Sequence, residues 1–133
     1  MQTQGRRQKN LVLILAREFA SKLATPMFVT DEEGKLVYYN EPAELILGRS
    51  FGEAGELPAE SWAETFSVSR LDGSPVPLEE MPGGVALLKR REAHSALRLT
   101  GLDGVARTIE VTAFPLLDRE DRPVGAVILF WED

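Results

Sequence analysis

The chain has 133 residues, 44% of them hydrophobic, which is enough apolar material for one compact domain with a real core and leaves no room for a second. Its formal net charge of −6 argues against nucleic acid as a direct partner, because neutralising phosphates takes clustered Lys and Arg. Cysteine is absent, which removes disulfides, thiolate nucleophiles and cysteine-ligated zinc together; no apolar run is long enough for a membrane span or a signal peptide, so the expected setting is cytoplasmic.

The Arg-rich start, Gly5 to Lys9, is the only basic patch before the first helix and reads as a frayed, solvated terminus. From Lys9 to Ala24, Val12, Leu15, Ala16, Phe19, Ala20 and Leu23 recur at helical spacing, and residues 1–24 form an N-terminal amphipathic helix segment. Leu11, Leu13 and Ile14 make its first half apolar almost all round, so it needs cover on two sides. Pro26 to Thr30 and Lys35 to Asn40 read as a hairpin around Asp31, Glu32, Glu33 and Gly34.

In LVYYNEPAELILGRS, Leu36 to Ser50, a strand pattern runs straight into a helical one. Alternation puts Leu36, Tyr38 and Asn40 on one face and Val37 and Tyr39 on the other. Asn40 then caps a helix with Pro42 in its first turn and Gly48 at its end. Phe51 to Asp72 offers Trp62, Phe66 and scattered Leu, which suits short helices and loops. Leu78 to Arg91 reads as another helix.

Three strands follow, about His94 to Thr100, Ala106 to Leu117 and Pro123 to Trp131, joined at Leu102-Asp103-Gly104 and Asp118 to Arg122 into an antiparallel meander. One alternating set holds Leu97, Leu99, Ile109, Val111, Ala113, Val127, Leu129 and Trp131; the other holds Arg98, Glu110, Thr112, Phe114, Ile128 and Phe130. The last strand is apolar on both faces. It is therefore expected at the centre of the sheet, with Asp133 just beyond it.

Helix, two strands, short helices and three strands, with TPMFVTDEEGKLVYYNEPAELILG and LDGVARTIEVTAFPLLDREDRPVGAVILFWED as the telling stretches, resemble the PAS (Per-Arnt-Sim) sensory domain family over about Leu23 to Asp133. The resemblance implies an α+β fold for residues 25–133: a five-stranded antiparallel sheet with short helices on one face and the N-terminal helix on the other. It also places the Asn40 corner at an edge strand, where the chain folds back over the sheet. Members of the family often hold a pocket between sheet and helices. Alternation assigns Phe28, Thr30, Leu97, Leu99, Ile109, Val111, Val127, Leu129 and Trp131 to that pocket, roofed by Leu47, Val85 and Leu88. Such a lining suits a small, mainly apolar or aromatic ligand, or a core with no ligand at all.

The cofactors that the resemblance brings to mind can be tested one at a time. The missing cysteine excludes the covalent flavin of the photoactive subclass, while noncovalent flavin stays open. The helix PLEEMPGGVALLKRRE lacks the usual haem histidine, and the sole histidine, His94, falls in the outward phase of its strand. No Ser, His and Asp spacing suggests a relay, and the carboxylates at Asp31, Glu32 and Glu33 sit at a turn tip, so a small sheet-based enzyme is the remote reading. Two readings stand ahead of it: a sensor signalling through dimer or partner contacts, and a ligand-free dimerisation scaffold. With Val12, Leu15, Ala16 and Phe19 laid on Met27, Val29, Phe114, Ile128 and Phe130, the residues Leu11, Leu13 and Ile14 are left to pair two copies. The output partner is expected in trans, as the start at Met1 favours, or in a C-terminal region beyond Asp133.

Overall fold

The computed structural model describes residues 2–132, with side chains described from residue 11 onward. Asp133 and the side chains of the basic patch lie outside the described residues. Arg, Gln and Lys are good helix formers, and α1 runs from Gln2 to Ser21, taking in the stretch expected to fray. After it come β1 (Met27–Asp31), β2 (Leu36–Tyr39), α2 (Glu41–Leu47), α3 (Phe51–Ala54) and α4 (Ala59–Thr65). A two-residue strand β3 (Val68–Ser69) and a 3-10 turn (Leu78–Glu80) precede α5 (Pro82–Lys89), β4 (Ala93–Thr100), β5 (Ala106–Leu117) and β6 (Pro123–Glu132). The expected helix from Leu78 is split because Pro82 cannot continue a preceding turn yet suits the first position of a new one.

The sheet is antiparallel, with the order β2-β1-β6-β5-β4-β3. It has six strands where five were expected, since β3 adds a short edge beside β4. The central place expected for the last strand is found: β6 is bonded to β1 on one side and β5 on the other. Aspartates fix the turns. Asp31 Oδ1 accepts from Glu33 N–H and Lys35 N–H at 2.9 and 3.0 Å, and Asp118 Oδ1 accepts from Glu120 N–H and Arg122 N–H at 2.8 and 3.0 Å. Bonds of this kind favour the ionised form, so the Asp118 carboxyl lies below its ordinary range, as does that of Asp103, which accepts from Val105 N–H.

The strand-to-helix corner holds itself as its sequence suggests. Asn40, 1% exposed, caps α2 by accepting from Ala43 N–H, and Gly48 ends the helix at φ 84°. The face assignment of β2 differs from strict alternation. Phe28 pairs with Tyr39 and Val29 with Tyr38, but Thr30 pairs with Leu36, so Val37 is an extra residue. This bulge turns both Leu36 and Tyr39 into the main core and leaves Val37 and Tyr38 on the α1 side.

Register also reverses the reading of β6. Paired residues share a face, and Phe28 pairs with Ile128 while Val111 pairs with Phe130. Ile128 and Phe130 therefore join Phe28, Leu97, Leu99, Ile109 and Val111 beneath the short helices. Val127 and Leu129 pack in the second cluster with α1, and Trp131 is 41% exposed on that same outer face.

α1 lies over β1, β6 and β2, but through a different face from the one expected. Leu13, Ala16, Ala20 and Leu23 meet Met27, Val29, Val127 and Leu129, whereas Leu15 and Phe19 are 58% and 60% exposed. Small residues let the helix backbone approach the sheet, and Gly125 helps from the other side. A Cβ there would press on Leu13 and on the Thr30 carbonyl oxygen. The Arg17 guanidinium, 5.1 Å from the centre of the Tyr38 ring, holds one flank of α1 against β2.

Candidate functional site

The space between sheet and short helices is built around Phe28 on β1. Its ring meets Tyr39, Trp62, Phe66 and Phe130 at centroid separations of 5.7, 5.5, 6.2 and 5.1 Å. Trp62 comes from α4 and is fixed by its indole N–H, which donates to Gly34 O at 3.1 Å. Tyr39 is fully buried, and its hydroxyl donates to Arg49 O at 2.8 Å. Burial, helped by the nearby Glu44 carboxylate, pushes the phenol up to about 12.

What these rings leave is a void of about 30 Å³, bordered by Phe28, Leu97, Leu99, Ile109 and Val111 together with Met81 and Phe130. That volume suits a water molecule or two, whereas small-molecule pockets start near about 300 Å³. Of the residues assigned to a pocket by alternation, five thus share this space. Leu47 is buried elsewhere in the same core, while Val85 is half-buried on α5 and outside the void's lining. Thr30 and Leu88 border a separate open cleft beside α5. Val127, Leu129 and Trp131 stand on the opposite face of the sheet. Ile128, Met81 and Phe130 were missed; Phe28 and Ile128 are joined only by the β1–β6 pairing, and no local pattern in β6 marks its phase.

His94 stands on the outer face, where its ring nitrogens bond Thr112 Oγ1 and Glu110 Oε2 at 2.6 and 2.8 Å, away from the interior. Among the described residues, no group of three or more His, Asp or Glu is placed to hold a metal ion, and no helix is long and apolar enough to cross a membrane.

A curled antiparallel sheet whose edge strand turns at a capped Asn into a row of short helices has close counterparts, and the family profile described as PAS fold matches residues 21–132. The chain belongs to the PAS family. Domains of this family are sensory modules of signal transduction. Among solved structures, the PAS domain of a protein from Colwellia psychrerythraea is 18% identical with a TM-score of 0.66, over 92% of this chain and 97% of that one. The PAS domain of nitrogen regulation protein NR(II) from Vibrio parahaemolyticus is 17% identical with a TM-score of 0.60, over 90% and 98% of the two chains. The LOV protein of Rhodobacter sphaeroides is 16% identical with a TM-score of 0.69, over 92% of this chain and 67% of that one. At such identities the likeness is one of fold. No curated protein sequence matches the chain.

Proposed function

We propose that this PAS domain is a regulatory module of cytoplasmic signal transduction that acts through protein contacts, with its interior packed and holding no resident ligand. The observation that carries this reading is the void of about 30 Å³ under the short helices, in a place that five aromatic rings otherwise fill. The contact surface is the outer side. Leu11, Ile14, Leu15 and Phe19 of α1 are between 55% and 60% exposed, and Phe114 and Trp131 are open on the sheet beside them. Ile14 and Arg17 border Tyr38 on the β2 flank, so at 100° per residue Leu15 and Phe19 face the opposite flank, toward β5. A second copy of the chain is the simplest cover for such a surface, and Leu13, already against the sheet, takes no part in it. An output partner joined in trans or through a further region fits the likeness to a nitrogen regulation protein.

A second reading keeps a small apolar ligand in the interior. It is favoured by the wholly apolar lining of the void and by Met81 at its edge, whose unbranched side chain can re-pack around a guest. Native mass spectrometry of the purified protein separates the two. The packed-interior reading expects a dimer whose mass is that of two bare chains, and a stoichiometric bound molecule would overturn it in favour of the second.

A further inference from the structure

On the helix side of the sheet an open cleft of about 340 Å³ lies between the β1–β2 turn, α4, the 3-10 turn and α5. Its size falls at the lower end of small-molecule sites. Trp62, Leu78, Met81, Leu87 and Ile128 give it an apolar floor, while Glu32, Glu33, Glu60 and Glu79 stand around it. The walls are fixed. A Cβ on Gly83 would meet Ile128 Cδ1 at 2.8 Å, and one on Gly84 would run into the Leu78 carbonyl oxygen, so α5 is seated tightly on both neighbours.

The polar atoms at the cleft all point to one kind of guest. Thr30 Oγ1 already donates to Asp31 O at 3.1 Å, and the Trp62 N–H is committed to Gly34 O, so no lining side chain keeps a spare donor. Among the described residues the carboxylates of Glu33, Glu60 and Glu79 have no hydrogen-bond or ion-pair partner, and no Lys or Arg borders the cleft. The nearest cations are engaged elsewhere, Lys35 with Glu56 and Arg70 with Glu80. The N-terminus of α5 at Gly83 and Gly84 contributes only about half a positive charge, which the formal negative charges of Glu33, Glu60 and Glu79 outweigh. These carboxylates are not grouped to hold a metal ion, so the cation that suits them is organic.

We propose that this cleft binds a small organic cation with an aromatic or branched apolar body, the body resting on Trp62, Met81 and Leu87 and the cationic group favoured by the negative charge of Glu33, Glu60 and Glu79 around the rim. The apolar floor rewards burial of the body, and the carboxylates raise the local concentration of cations and repel anions. The cleft shares Trp62, Met81, Gly83 and Ile128 with the interior void but, among the described residues, none with α1 or the outer sheet face, so it does not depend on pairing of two copies.

Phenethylammonium is a suitable probe, compared with phenethyl alcohol and phenylacetate as neutral and anionic counterparts of the same body. Titration of the full chain, followed by calorimetry and amide chemical shifts at low salt, should show the ammonium binding about tenfold or more tightly than the alcohol. Phenylacetate should bind more weakly still, with shifts centred on Gly34, Trp62 and Leu87. In a variant carrying Glu33→Gln, Glu60→Gln and Glu79→Gln, the ammonium should lose that advantage while thermal unfolding stays unchanged. Equal binding of the three probes, shifts that map elsewhere, or an absence of binding at millimolar concentration would each overturn the proposal. So would an advantage that survives in the variant. The comparison of probes on the unaltered protein decides the matter even if the variant folds poorly.

Discussion

The Asn40 amide donates to the Ala20 carbonyl oxygen at 2.9 Å, tying the corner between β2 and α2 to the end of α1 twenty residues earlier. The same side chain donates to Thr25 O at 2.9 Å and accepts from Met27 N–H and Ala43 N–H at 3.0 and 3.2 Å. One buried amide therefore caps a helix, begins a strand and sets which face of α1 turns to the sheet.

Removing it should be costly. Asn40→Ala leaves Thr25 O, Met27 N–H and Ala43 N–H without their partner, while Ala20 O keeps the Leu23 N–H; with each buried loss at about 1–3 kcal/mol, partly relieved by water, a total of about 2–5 kcal/mol is expected. Asn40→Asp keeps the acceptor but turns a carboxylate toward two carbonyl oxygens, so it should not rescue the loss. Urea denaturation of the three proteins measures this, and a change below about 1 kcal/mol for Asn40→Ala would show that water replaces the amide freely.

Tyr39 should make the fold sensitive to alkali. Its folded value is raised to about 12 from an ordinary 10.0, mainly by burial. Below the ordinary value the phenol is neutral in both states and its contribution is complete. As pH climbs from about 10 to about 12 the unfolded chain ionises first, and about 2–3 kcal/mol of stability is lost. Tyr39→Phe, which lacks the ionisable group, should show a shallower loss of denaturation free energy over that window. Parallel curves for the two proteins would contradict this.

A packed interior responds to truncation in a specific way. Leu99→Ala, at a residue 2% exposed beside the small void, should cost about 2–5 kcal/mol and enlarge the cavity enough to admit benzene. Benzene should then raise the melting temperature of the variant and leave the parent unmoved. A comparable rise in the parent would mean that its interior already has ligand-sized room.

Pairing through the outer side can be broken without touching the core. Leu15→Glu with Phe19→Glu places two charges on exposed positions of α1, so the chain should remain folded and become monomeric by light scattering. A parent that is monomeric at micromolar concentration would refute pairing. A double variant that stays dimeric would move the interface off this flank of α1.

Much of the architecture was legible in the sequence because it is specified locally. The cap at Asn40, the αL glycine at Gly48, the aspartates at the turns and the order of strands and helices all follow from side chains acting within a few residues of themselves. The central place of β6 was legible as well, since a strand apolar on both faces has to be covered on both. The same property hid its phase. With Val127 and Leu129 on one side and Ile128 and Phe130 on the other, alternation carries no information about which side is inward, and only the ladders to β1 and β5 decide it. The bulge at Val37 depends likewise on its partner strand. α1 presented a choice of apolar faces; Ala16, Ala20, the bare backbone at Gly125 and the long-range bond from Asn40 selected the one made of small residues. How much space remains beneath the short helices was not in the pattern either, because void volume is what is left when side chains from separate elements interlock, and that sum exists only in the folded chain.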